Sequence, residues 1–165
     1  KLTKAPDMTK TNALSSINAI FKGCTSLVDA PVIPDSVLDM SEAFLGDSNI
    51  YTASAFPESV EDISSAYADC ISLEKAASIP ASVINCDSCY SGCSNLYGEL
   101  SINTNTEDCA NLLSNAVTSG KTLKLKGKSG RLFEIQQDSG SRYVTIKDTE
   151  KAEKNAKKLE RQNNQ

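Results

Sequence analysis

Residues 21–44, FKGCTSLVDAPVIPDSVLDMSEAF, begin and end on an aromatic side chain and hold a cysteine, two prolines and a helix-spaced apolar set between them. Reading onward by the same 23-residue interval refills the same columns. Phe44 leads to Tyr67 and Tyr90, Leu27 to Ile50, Leu73 and Leu96, and Pro34 to Pro57 and Pro80. Val37 leads to Val60 and Val83, Met40 to Ile63, Cys86 and Cys109, Cys24 to Asp47, Cys70 and Cys93, and Ser36 to Ser59 and Ser82. A fixed period of this length is the signature of a repeat architecture, in which each unit buries its apolar face against the next.

One unit divides in two. Residues 27–33 have the length and flanking turn formers of a strand. Pro31 cannot donate to a ladder, so that strand pairs little or bulges. Pro34, Pro57 and Pro80 open the second half of each unit, as proline does comfortably at the start of a helical turn. Val37, Met40 and Phe44 then stand at i, i+3 and i+7, the spacing of one helix face, and Val60, Ile63, Tyr67 and Val83, Cys86, Tyr90 repeat it. Helices this short are marginal alone and need neighbours to pack against. Leu14, Ile17 and Phe21 extend the frame upstream, and Thr106, Cys109, Leu112 and Leu113 carry it to Val117. The expected fold is an α/β solenoid over residues 1–118, a right-handed leucine-rich-repeat stack of 23-residue strand-plus-short-helix units.

These residues resemble the Treponema-type (BspA-like) branch of the leucine-rich repeats over roughly residues 5–118. The carriers are Leu27-x-x-Ala30, Ile33-Pro34, Val37, Met40, Ala43-Phe44 and Cys24-x-x-Leu27, each recurring. Departures are Ala30, Ala53 and Ala76, where the family has a larger aliphatic, and Asp47 in a cysteine column. The resemblance implies a secreted or surface-exposed protein that works by adhesion and protein binding, and it implies no catalysis.

Beyond Val117 the columns fail. Residues 121–126 and 131–136 alternate polar and apolar around the turn formers Gly127-Lys128-Ser129-Gly130, and residues 143–146 make a third run. They predict a β-hairpin or three-stranded meander over 119–147, serving as a cap or a small joining domain. Residues 148–165 form a charged tail, helical or disordered, with Glu150–Lys154 and Glu153–Lys157 at favourable spacing.

Seventeen basic and 21 acidic residues give a net charge of −4, which argues against a nucleic-acid binder. There is no histidine, hence no imidazole base or ligand, and no apolar run long enough for a membrane span. No signal peptide is visible, and the chain begins at Lys1 rather than Met, so it reads as a fragment or processed product of an extracellular or cell-surface protein.

Six cysteines invite three readings. Buried cysteine packs as a small hydrophobe, which is the leading reading. Stacking would set Cys70 beside Cys93 and Cys86 beside Cys109, within disulfide reach. A structural zinc site would need four ligands in close pairs, which Cys86-x-x-Cys89-x-x-x-Cys93 does not supply. No metal, cofactor or catalytic group is assigned. Binding candidates come from the columns after the recurring leucine: Val28, Tyr51, Glu74 and Tyr97, then Asp29, Thr52 and Lys75. Tyrosine gives rigid contact area with a polar tip. These residues point to a recognition module, adhesin-like or on a virus particle, that takes a protein or glycan of a cell surface or matrix. The alternative is a structural spacer in a larger surface protein or assembly.

Overall fold

A computed structural model describes residues 1–165. Its regular elements are few and lie late in the chain: strand β1 at Gly98–Ser101, strand β2 at Leu123–Lys126, helix α1 at Leu132–Ser139, strand β3 at Val144–Ile146 and helix α2 at Thr149–Asn163. The strands form one parallel sheet in the order β1-β2-β3, with Gly98 beside Leu123 and Leu123 beside Val144. This corrects the expected leucine-rich-repeat solenoid. Two helices and a three-stranded parallel sheet make a small α/β fold, and none of the repeat helices forms.

The reason lies in the backbone. Val37, Met40 and Phe44 are buried as their spacing predicts. Glu42, however, sits at φ 55°, and its counterparts Ala19, Ser65 and Ser88 at 54°, 53° and 60°. An L-residue in this left-handed region ends a right-handed helix. A second left-handed column holds Gly23, Gly46, Asp69, Gly92 and Asn115. Between these points the donors divide. The N–H groups of Met40, Glu42 and Phe44 reach the carbonyls of Asp62, Ser64 and Ala66 at 2.8–2.9 Å, while those of Ala43 and Leu45 close local turns on Met40 and Glu42. Ile17, Ala19, Phe21 and Gly23 bond Asp39, Ser41, Ala43 and Leu45 in the same way. The 23-residue period thus reaches the structure as hydrogen bonding between segments. A short helix would satisfy the same groups only with a costly nucleus.

The expected strand at 27–33 is also absent. Pro31 and Pro34 withdraw two donors there. Before β1 only isolated parallel bridges occur, such as Asp39 with Asp62 and Thr52 with Lys75.

The expected meander is corrected as well. Residues 132–136 enter helix α1, with Arg131 at its N-cap; its buried Leu132, Ile135 and Ser139 are spaced i, i+3, i+7, while Phe133 faces solvent. β2 and β3 are parallel, and parallel strands need a crossover, which α1 supplies. α1 ends at Gly140, φ 67°, whose N–H bonds the Gln137 carbonyl. Asp148 caps α2 by accepting from the Lys151 N–H at 2.9 Å, and Lys154 meets Glu150 at 3.0 Å.

One core of 38 buried residues runs from Met8 to Ala152. Its axis is an aromatic stack: Phe21 on Phe44 at 5.4 Å, Phe44 on Tyr67 at 4.9 Å and Tyr67 on Tyr90 at 5.8 Å between ring centroids. Both phenols are satisfied. Tyr67 Oη accepts from the Ser54 N–H at 2.9 Å. Tyr90 Oη accepts from the Ala77 N–H and donates to its carbonyl, both at 2.8 Å. No helix is long and apolar enough to cross a membrane.

Candidate functional site

The turn ladder decides which candidate residues meet. The Tyr51 carbonyl accepts from the N–H groups of Glu74 and Lys75, and the Glu74 carbonyl accepts from that of Tyr97. Thr52 and Lys75 form a parallel bridge. Tyr51, Thr52, Glu74, Lys75 and Tyr97 therefore make one row. Tyr51 is 52% exposed, Thr52 and Lys75 are exposed, and Glu74 and Tyr97 are half-buried. The Tyr97 hydroxyl donates to Glu74 Oε2 at 3.4 Å. Val28 and Asp29 are exposed and make no backbone bond to the row.

Lys121 belongs to the row too, although the reading of the period stops at Val117. Its ammonium lies 4.5 Å from the centroid of the Tyr97 ring, a cation–π contact. It stands one period beyond Gly98, in the column of Asp29, Thr52 and Lys75, but past Val117, where the other columns fail. The row is thus a pair of tyrosines interleaved with Glu74, Lys75 and Lys121. It offers contact area and both signs of charge.

Of the six cysteines, two are paired, three are buried free thiols and one is half-buried. Cys86 and Cys109 form a disulfide with Cα atoms 4.8 Å apart. Cys70, Cys89 and Cys93 are buried free thiols, and Cys24 is a half-buried one. Burial pushes the Cys70 thiol up to about 12 and the Cys89 and Cys93 thiols well above their ordinary value. A nucleophilic cysteine needs the opposite shift. Cys70 and Cys93 instead donate to the carbonyls of Phe44 and Tyr67 at 3.1 and 3.0 Å. No cluster of Cys, Asp and Glu could hold a metal ion.

Asp47, the acid in the cysteine column, is fully buried, and neither of its side-chain oxygens has a hydrogen-bond partner. Burial raises its pKa to about 7.

Two cavities of about 410 Å³ flank the end of β1. One, lined by Ala53, Phe56, Ala77 and Pro80, is half apolar; the other is rich in lysine, and they share Asn103 and Lys128.

No protein-family model, curated protein or solved structure matches the chain.

Proposed function

We propose that the chain is a non-catalytic recognition module that binds a protein or glycan of a cell surface or matrix through the row of Tyr51, Thr52, Glu74, Lys75 and Tyr97, extended by Lys121. The observation that carries this reading is the row itself. Its residues are far apart in sequence, yet backbone bonds hold them side by side, with Tyr51 half exposed. Interfaces are enriched in tyrosine, which loses little side-chain freedom on binding. The Cys86–Cys109 disulfide favours an oxidising compartment, and so supports an extracellular or cell-surface setting. The neutral, buried thiols and the absence of histidine speak against catalysis.

The test is binding of the labelled protein to cell surfaces, matrix proteins and a glycan panel. It is run beside a variant carrying Tyr51→Ala, Glu74→Ala, Lys75→Ala and Tyr97→Ala. A partner that the variant loses supports the reading, since buried tyrosine contacts are worth about 2 kcal/mol each. Unchanged affinity in the variant overturns the row. Binding by neither protein favours the spacer role.

A further inference from the structure

The lysine-rich cavity, about 410 Å³, opens where the parallel strands end. β1 stops at Ser101, β2 at Lys126 and β3 at Ile146, all running the same way, so their carboxyl ends meet along one edge. Open parallel α/β sheets bind ligands outside the carboxyl ends of their strands where the strand order reverses; the order β1-β2-β3 has no reversal, so the cleft here rests on its lining alone. The segments at this edge contribute Ser101, Asn103, Lys126, Lys128, Lys147 and Lys151.

The charge of this lining runs against that of the chain. Four ammonium groups face one carboxylate, Asp148, in a protein of net charge −4. Asp148 is committed to capping α2. Outside the lining, Glu99 on β1 is gripped by two of the lysines, Lys126 at 2.7 Å on one oxygen and Lys147 on the other. Those two hydrogen bonds hold the Glu99 carboxyl down at about 2. The edge therefore already binds one anion of its own. Lys128 and Lys151 are left with no acidic partner and with exposed side chains. The Asn103 side-chain oxygen accepts from the Lys128 N–H at 3.0 Å, which fixes the amide and leaves its NH2 group free to donate. Leu132 and Ala152 are the two apolar residues of the lining, whose exposed surface is nonetheless more apolar than polar.

A lining that joins four ammonium groups, an amide and a hydroxyl to a largely apolar surface suits a charged, hydroxylated ligand with a carbon skeleton. Lysine acts as a point charge and serves a phosphate well, whereas planar carboxylates favour the arginine fork, which is missing here. The volume suits a compound of sugar size. We propose that this cleft binds a small phosphate ester of sugar-phosphate size, with the phosphate between Lys128 and Lys151 and the hydroxyl groups toward Asn103 and Ser101. The site is separate from the recognition row, and neither reading depends on the other.

Calorimetric titration with glucose 6-phosphate, with glucose as the control, tests it. The phosphate ester is expected to bind, with affinity falling as salt rises, and glucose is not. Lys128→Ala with Lys151→Ala is expected to weaken binding by about a hundredfold, about tenfold for each charged hydrogen bond lost. Lys124→Ala, on β2 but outside the cleft, leaves affinity unchanged. Both cleft lysines are exposed and unpaired, so matched melting temperatures will show that the double variant is folded. Glucose 6-phosphate binding no tighter than glucose overturns the proposal, as does a Lys124→Ala loss equal to that of the double variant.

Discussion

Asp47 stands in a column that otherwise holds Cys24, Cys70 and Cys93, and Asp47→Asn tests what its burial costs. The carboxyl is fully buried with both oxygens unpartnered. Burial lifts its pKa from 3.8 to about 7. The folded protein therefore holds this proton more tightly than the unfolded chain does. Well below pH 4 both states are protonated and ionisation of the group costs nothing. As pH rises from about 4 to 7 the unfolded chain releases its proton first, so stability falls through that window and levels off above it. Three pKa units correspond to about 4 kcal/mol, the most this group can withdraw at pH 8. Asparagine has nearly the same volume as the protonated acid and does not titrate. Urea denaturation of both proteins from pH 4 to pH 8 is the assay. The variant should match the parent at pH 4 and exceed it at pH 8 by about 2–4 kcal/mol. Other carboxylates, Glu99 among them, tilt both curves alike and cancel in the difference. An advantage equal at both ends of the range, or absent at pH 8, would refute the reasoning.

Three further outcomes rest on the same packing. Tyr90→Phe leaves the Ala77 N–H and carbonyl unpaired in the core and should cost about 2 kcal/mol; Tyr67→Phe strands only the Ser54 N–H and should cost less, both read by urea denaturation. Gly92→Ala should lower the melting temperature more than Gly46→Ala. Both have positive φ, at a cost of about 1–2 kcal/mol for alanine, but at Gly92 the methyl also runs into the Asp69 carboxylate, while at Gly46 it meets open space. Reducing Cys86–Cys109 should cost about 3 kcal/mol of stability; in the unreduced native protein a thiol reagent should label Cys24 well ahead of buried Cys70, Cys89 and Cys93.

The inward columns are legible in the sequence because burial follows side-chain chemistry whatever the backbone does. Phe21, Phe44, Tyr67 and Tyr90 stack, and Val37, Met40 and their counterparts are buried. The elements carrying them are not legible, because spacing of i, i+3 and i+7 does not separate a helix from a chain of turns that returns to the same face. One signal is present: Gly23, Gly46, Asp69, Gly92 and Asn115 are residue types that tolerate the left-handed region, and they recur in register. The other left-handed column, Ala19, Glu42, Ser65 and Ser88, carries no such mark, since nothing in these side chains announces positive φ. Helix α1 reads wrongly as a strand because a six-residue window starting at Arg131 alternates well enough to imitate one, while its buried set extends to Ser139.

The two candidate surfaces differ in legibility for a related reason. Tyr51, Glu74 and Tyr97 share a column, so the period that spaces them in sequence also brings their backbones together. Lys128 and Lys151 stand one period apart, but past Val117, where the other columns fail, and Lys126 and Lys147 share no column with them or with each other. Lys126 and Lys128 leave β2, Lys147 leaves β3 and Lys151 rides the first turn of α2; only the parallel crossover through α1 draws these segments to one edge. An antiparallel meander over the same residues would send alternate strand ends to opposite edges and separate Lys126 from Lys147, which here grip one carboxylate, Glu99. Misreading α1 and missing the cleft are thus one error, and the direction of β3 is what corrects both.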